Sequence, residues 1–364
     1  MKFLIITNHS FMLWRFRREL ISELMNMGEV VISTPFVGHE DDFEKMGCRC
    51  ILTDVDRRGI NPVKDLKLFG RYRRLLKEEK PDCVITYSIK PNIYAGFACR
   101  QLGIPYFVNV QGLGTAFQKK GISTLVTFMY KIALKNAGAV FFENTVNASE
   151  FISRKIIPEN NAVVLKGAGV NLEEYALMPY PDESDGIHFL YLGRIMKEKG
   201  ADELFAAARG IKSKYGDRVV FDIVGFFEDE YKEAVEKLVA DGVAVFHGFH
   251  ADPKPFYKSA HCVVLPSYHE GMSNVLLEAA ATGRALIASD IPGCRESIDN
   301  GSTGLLCRKA DAADLEKQLE LFISLSEEKR AEMGKKGREK IEKEYDRKQT
   351  VNEASAVIYR GISL

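Results

Sequence analysis

The chain has 364 residues, of which 46% are hydrophobic and 27% charged, with no net charge and seven cysteines. That length exceeds one ordinary domain and predicts two, each able to bury its own core, while the composition excludes a disordered or low-complexity protein. Neutrality excludes a uniformly basic nucleic-acid binder, yet residues 1–180 carry 24 Lys and Arg against 18 Asp and Glu, and the remainder 26 against 32, so a basic half suited to an anionic partner precedes an acidic one.

In chain order, Phe3-Leu4-Ile5-Ile6 is too short for the core of a signal peptide and reads as the first buried strand, 3–7. A helical spacing follows over 11–27. Strands are then predicted at 30–33, 51–55, 84–87, 106–110 and 140–143, with helices at 63–79, 93–102, 122–136 and 148–156. Strands separated by helices of this length imply βαβ units and a parallel sheet covered on both faces. Met178-Pro179-Tyr180-Pro181-Asp182-Glu183-Ser184-Asp185-Gly186 has two prolines and no periodicity, and reads as an interdomain linker. The alternation restarts with strands at 188–192, 219–224, 244–246, 262–265 and 285–288 and helices at 202–214, 229–239, 255–260 and 274–282. Residues 312–345 are charged and helical by propensity. A last helix, 346–361, could pack back across the first domain. No stretch reaches the roughly 18 uninterrupted apolar residues of a membrane span. The cysteines are scattered without metal-ligand spacing, which predicts free thiols, a reducing compartment and no metal site.

The densest cluster is Pro266-Ser267-Tyr268-His269-Glu270-Gly271-Met272-Ser273-Asn274-Val275-Leu276-Leu277-Glu278. It leaves the strand 262–265 and opens the helix 274–282, which puts it on the ligand edge of an open α/β sheet. Ser273 or Asn274 suits the N-cap, and Gly271 lets backbone approach a ligand. The N–H groups of residues 272–274 and the helix dipole make an anion site. Glu278, one turn into the helix, can accept hydrogen bonds from a diol and Glu270 from a second polyol. Acids flanking an amide-rich helix start fit a ligand with hydroxyls at both ends and phosphate between, which is the shape of a nucleotide sugar. Taken alone, the segment also reads as a capped helix with solvated acids. A second cluster, Gly193-Arg194-Ile195-Met196-Lys197-Glu198-Lys199-Gly200, leaves the strand 188–192 on the same edge. There Arg194 as a planar fork and Lys199 as a point charge could neutralise a diphosphate.

Glu270 and Glu278, with seven residues between them in Glu-Gly-Met-Ser-Asn-Val-Leu-Leu-Glu, resemble the EX7E signature of glycosyltransferase family 4. Gly193-Arg194 with Lys199-Gly200 resembles that family's diphosphate-binding pair. Asp290-Ile291-Pro292-Gly293-Cys294-Arg295-Glu296 and Asn300-Gly301-Ser302-Thr303-Gly304-Leu305-Leu306 are similar to its next two βα segments. The resemblance implies an α/β GT-B architecture: two Rossmann-like parallel-sheet domains facing across a cleft. Residues 1–178 would form the acceptor domain, residues 187–345 the nucleotide-sugar donor domain, and residues 346–364 a C-terminal helix. It implies Arg194 and Lys199 on the diphosphate, Glu278 on the ribose, and Glu270 on the sugar near the reacting carbon. Backbone at Gly271, Met272, Ser273 and Asn274 would assist, with Gly193, Gly225 and the loop Gly248-Phe249-His250 around the nucleotide. The family retains anomeric configuration and needs no metal cofactor, and UDP is the nucleotide it favours.

Tyr87-Ser88-Ile89-Lys90-Pro91-Asn92-Ile93-Tyr94-Ala95-Gly96 and Val110-Gln111-Gly112-Leu113-Gly114 are similar to bacterial members that build surface glycans on a polyprenyl-diphosphate carrier. That likeness implies a hexose or hexose derivative transferred to a polyprenyl-diphosphate-linked saccharide at the inner, cytoplasmic face of the cell membrane. On the acceptor side it points to His9, Ser10, Lys90, Gln111 and Gly112. Two departures stand out. Asn8-His9-Ser10-Phe11 replaces a glycine-rich loop, and Gln111 stands where many members carry histidine. A soluble acceptor, a sugar-nucleotide epimerase and a non-catalytic sensor remain alternatives.

Residues 122–136 are strongly apolar (Ile122, Leu125, Val126, Phe128, Met129, Tyr130, Ile132, Leu134). Lys119-Lys120 precede them and Lys131 and Lys135 punctuate them, while Arg57-Arg58, Arg71, Arg73-Arg74 and Lys77 lie in the same half. This pattern reads either as a helix on an anionic bilayer or as one packed on its own sheet.

Overall fold

A computed structural model describes residues 1–56, 61–113, 117 and 121–362, so Arg57-Arg58, Gly114 and Lys119-Lys120 lie outside the described residues. The chain forms two compact units, Met1–Ala168 with Arg347–Leu364, and Gly169–Asp346.

In the first unit the strands are β1 (Lys2–Ile6), β2 (Glu29–Thr34), β3 (Arg49–Leu52), β4 (Cys83–Tyr87), β5 (Tyr106–Val110), β6 (Ala139–Phe142) and β7 (Ala162–Val164). They pair in parallel in the order β3-β2-β1-β4-β5-β6-β7. The central strands are buried along their length, as continuous apolar runs in a doubly covered parallel sheet must be. The helices are α1 (Ser10–Met25), α2 (Glu40–Met46), α3 (Pro62–Glu79), α4 (Ile89–Leu102), α5 (Ile122–Ala133) and α6 (Thr145–Ser153). Two of these elements carry too weak a pattern to be read from sequence. Helix α2 buries only Phe43, and β7 has three residues.

The second unit repeats the plan. Strands β8 (Ile187–Leu192), β9 (Val219–Val224), β10 (Val245–Gly248), β11 (Cys262–Leu265), β12 (Ala285–Ser289) and β13 (Gly304–Cys307) form a sheet ordered β10-β9-β8-β11-β12-β13. All its pairs are parallel. Its helices are α7 (Ala201–Tyr215), α8 (Lys232–Ala240), α9 (Lys254–Ser259), α10 (Asn274–Ala281), α11 (Ala312–Ser324) and α12 (Glu327–Glu344). The charged stretch expected over 312–345 is two helices, because Ser326 caps the second by accepting a hydrogen bond from Lys329 N.

The proline-rich stretch expected as a linker is instead built into the second unit. Fully buried Arg284 donates to the carbonyls of Met178 (3.0 Å) and Pro179 (2.6 Å), and burial lowers its pKa to about 10. Tyr180 lies edge-on to His261, and Glu183 pairs with Arg330. Residues 169–178 go with the same unit, since Val170 and Tyr175 are in its core and Val170 N donates to Tyr345 O at 2.8 Å. The last helix, α13 (Arg347–Ile362), belongs to the first unit. There Arg347 pairs with Glu19 at 3.1 Å, and Ala354 and Ile358 enter the core.

A polar row crosses β8, β9 and β10. Asp222 accepts from His188 Nδ1 at 2.8 Å and His247 Nε2 at 2.7 Å, and the His188 ring stacks on that of His261. The Asp222 hydrogen bond raises the His188 pKa above its ordinary 6.5 against the opposing effect of burial. Burial lowers that of His261 to about 4. Their contributions to stability therefore run in opposite senses. That of His188 is complete below pH 6.5 and fades as pH rises through its raised midpoint. That of His261 is complete above pH 6.5 and is lost as pH falls toward 4. Histidine NMR titration should find His188 on the high side and His261 on the low side, with Asp222→Asn moving His188 downward. Equal midpoints for both rings would contradict this placement.

Candidate active site

In the second sheet the strand order reverses between β8 and β11, so the loops leaving those two strands open a crevice at the carboxyl edge. Both predicted clusters sit there. Gly200, at φ +74°, lets the first loop lie on the second, since a Cβ there would stand 2.0 Å from the Pro266 carbonyl oxygen. Tyr268 N donates to Glu198 O at 2.8 Å along the same seam. Across it, Lys199 Nζ lies 2.5 Å from Glu270 Oε1, which also accepts from Ser267 Oγ at 2.8 Å. The two side chains are 18% and 11% exposed, enclosed enough for their attraction to exceed that of a solvated pair yet still open to solvent.

Arg194 stands on the same edge, its carbonyl held by the Tyr191 hydroxyl at 2.6 Å. Its side chain is 43% exposed, with the guanidinium 3.6 Å from Glu228 Oε2. The loop after β9 runs alongside, with Ile195 N donating to Phe226 O and Glu228 N to Ile195 O. Gly225 allows that approach, because a Cβ there would meet the Gly193 carbonyl oxygen at 1.8 Å. Gly225 N in turn donates to Gly248 O at 2.8 Å, joining the loop that carries Phe249. Phe249 and Phe226 are both exposed and meet edge to face at 5.9 Å.

Ser273 is the N-cap of α10, its Oγ accepting from Leu276 N at 3.4 Å. Of the amides expected to face an anion, that of Ser273 is already committed to Gly293 O at 2.9 Å, because Gly293 packs against Glu270 and Gly271 with no room for a Cβ. The amides of Met272 and Asn274 have no protein acceptor among the described residues. Glu278 is not a solvated acid. It is 2% exposed and accepts from the Tyr257 hydroxyl at 2.9 Å. Burial and Lys309, 3.5 Å away, lower the pKa of His269, so that its ring is neutral at pH 7.

In the first unit the reversal falls between β1 and β4. His9 caps α1, its Nδ1 accepting from Met12 N at 3.4 Å, and buried Ser10 accepts from Val37 N at 2.9 Å. Lys90 pairs with Asp65 at 2.9 Å, and Gln111 and Gly112 follow β5, half-buried. Among the described residues no group of three His, Cys, Asp or Glu could hold a metal ion, and all seven cysteines are free.

Residues 180–340 match the family described as glycosyl transferases group 1, and residues 3–144 match that described as glycosyl transferase 4-like. The chain belongs to these glycosyltransferases. It is 28% identical, over 85% of its length and 86% of the relative's, to the N,N'-diacetylbacillosaminyl-diphospho-undecaprenol alpha-1,3-N-acetylgalactosaminyltransferase of Campylobacter jejuni. It is 26% identical, over 77% of its length and 75% of the relative's, to the UDP-Gal:alpha-D-GlcNAc-diphosphoundecaprenol alpha-1,3-galactosyltransferase of Escherichia coli. The structure of Anabaena Alr3699/HepE in complex with UDP-glucose superposes with a TM-score of 0.80 at 15% identity, over 99% of this chain and 100% of that one. The glycosyltransferase thus has the two-Rossmann-domain GT-B fold.

Several contacts in the transferase have no counterpart in the sequence motifs. Glu228 lies beside Arg194, Ser267 on Glu270, Tyr257 on Glu278, and Phe226 against Phe249. For Glu228 and Phe226 a signal existed, since both follow a predicted strand on the same sheet edge. Tyr257 sits on α9, 21 residues before Glu278, and only the packing of α9 joins the two.

Proposed function

We propose that the glycosyltransferase moves a hexose or hexose derivative from a UDP-sugar to a polyprenyl-diphosphate-linked saccharide, with retention and without a metal ion. The observation that carries the reading is the Lys199–Glu270 pair at the switch point of the second sheet. A diphosphate beside Lys199 and Arg194 competes with Glu270 and Glu228 for the two cations, which frees Glu270 to accept hydrogen bonds from the sugar in place of the Lys199 contact. In the reaction the bond from the anomeric carbon to the diphosphate oxygen breaks, and a bond from that carbon to the acceptor hydroxyl forms on the same face. The hydroxyl proton passes to the leaving phosphate, and UDP departs with its charge stabilised by Arg194 and Lys199. The amides of Met272 and Asn274 face the same charge, Glu278 holds the ribose, and Phe249 lies by the base.

The Campylobacter and Escherichia relatives, both named for diphospho-undecaprenol-linked substrates, support the acceptor, and the inner face of the cell membrane is the site of work in this reading. The name of the Escherichia relative supports a UDP-sugar. Among the described residues no helix is long and apolar enough to cross a membrane, so contact with the carrier is peripheral in this reading. A thermal-shift screen of nucleotide sugars tests it. The true donor, at a hundredfold its Kd, should stabilise the protein by about 2.7 kcal/mol. Stabilisation that survived Lys199→Ala undiminished would place the nucleotide elsewhere.

A further inference from the structure

Helices α3, α4 and α5 lie side by side on one face of the first sheet, α4 contacting both neighbours. Each leads into or out of parallel strands, so all three run the same way. The outer two share a pattern along their exposed sides. On α3, Val63 and Leu66 (70% exposed) come first, with exposed Lys64 and Lys67 beside them, and Arg71, Arg74, Lys77 and Glu78 follow. On α5, Leu125 and Phe128 (61% exposed) come first, and Lys131 follows, with Lys135 just beyond the helix. The opposite sides of the same helices, through Leu68, Tyr72 and Leu75 and through Val126, Tyr130 and Ala133, fill the core. One side of α5 is thus packed on its own sheet, while Leu125 and Phe128 leave the other side apolar and exposed.

Because the helices are parallel, the exposed apolar residues of both lie toward the carboxyl edge of the sheet and a run of cations follows on each, about 12 Å from Leu66 to Arg74 and about 4.5 Å from Phe128 to Lys131 at 1.5 Å per residue. Arg74, Lys77, Lys131 and Lys135 form no ion pair among the described residues. An apolar band bordered by unneutralised cations matches the depth profile of an anionic bilayer, with acyl boundary under the first and headgroup phosphates under the second. A protein partner would call for acids opposite the cations and a packed cavity for Phe128. A lipid surface needs neither.

We infer that this face of the first unit docks on anionic lipid, with Leu66 and Phe128 inserted and Arg74 and Lys131 on headgroups. The inference rests on the polyprenyl-acceptor reading for its purpose but not for its test. The protein should co-sediment with phosphatidylglycerol vesicles at low salt and not with phosphatidylcholine vesicles. Arg74→Gln and Lys131→Gln should each weaken binding about fivefold. Leu66→Ser and Phe128→Ser should each weaken it about tenfold or more. Leu321→Ser, an exposed position in the second unit, should leave it unchanged. Wild-type protein that stays in the supernatant overturns the inference, as does equal loss in Leu321→Ser or retention by a soluble polyanion but not by vesicles. Docking without transfer to a lipid-linked acceptor would instead refute the proposed reaction and leave the docking intact.

Discussion

Glu270→Gln is expected to lower transfer about a hundredfold to a thousandfold while leaving the melting temperature nearly unchanged. The amide oxygen of glutamine still accepts from Ser267 Oγ, so the loop between β11 and α10 keeps its anchor. What is lost is the negative charge opposite Lys199, and with it the hydrogen bonds from sugar hydroxyls that strengthen as charge develops at the anomeric carbon. Such a loss falls on kcat and kcat/KM together, because the interaction matters most in the transition state. Lys199→Ala should cost a similar factor through the leaving diphosphate, and it should also weaken UDP binding, which Glu270→Gln should not. Steady-state kinetics with UDP inhibition separates the two. Full activity in either variant would remove the pair from the chemistry.

Gly200→Ala is expected to destabilise the second unit by about 3 kcal/mol or more, the sum of a left-handed conformation forced on a residue with a Cβ and a direct collision. The collision is with the Pro266 carbonyl, 2.0 Å from the new atom, so relief requires the loops of β8 and β11 to part. Donor binding should fall with stability, since Lys199 and Glu270 sit on those loops. Gly103→Ala is the matched control. Its φ of +69° and ψ of +23° are also left-handed, but nothing lies within 4 Å of the added atom, and it should cost about 1–2 kcal/mol. Denaturant unfolding compares them, and equal costs would show that the close approach at Gly200 contributes nothing.

The parallel sheets were legible because their strands are buried on both faces and so read as unbroken apolar runs, as in Cys262–Leu265. The meeting of the two motifs on one sheet edge was legible because both follow predicted parallel strands directly. What the sequence did not show depends on distant partners. Pro179 and Pro181 have the composition of a linker, and nothing local reveals that Arg284 binds the carbonyls of Met178 and Pro179 from inside the second unit. Nor does spacing reveal that Glu278 is buried under Tyr257, or that Glu228 shares Arg194. His9, expected on the acceptor side, also has a local role that spacing does not reveal, since its Nδ1 caps the first turn of α1.

The most direct measurement is a transfer assay with a UDP-sugar and a polyprenyl-diphosphate-linked saccharide, read by product mass and anomeric NMR. The account predicts UDP release matched mole for mole by a lipid-linked product one sugar longer, with an α linkage from an α donor, and loss of both signals in Glu270→Gln. Turnover of the UDP-sugar with no lengthened product, or a β linkage from the same donor, would contradict it.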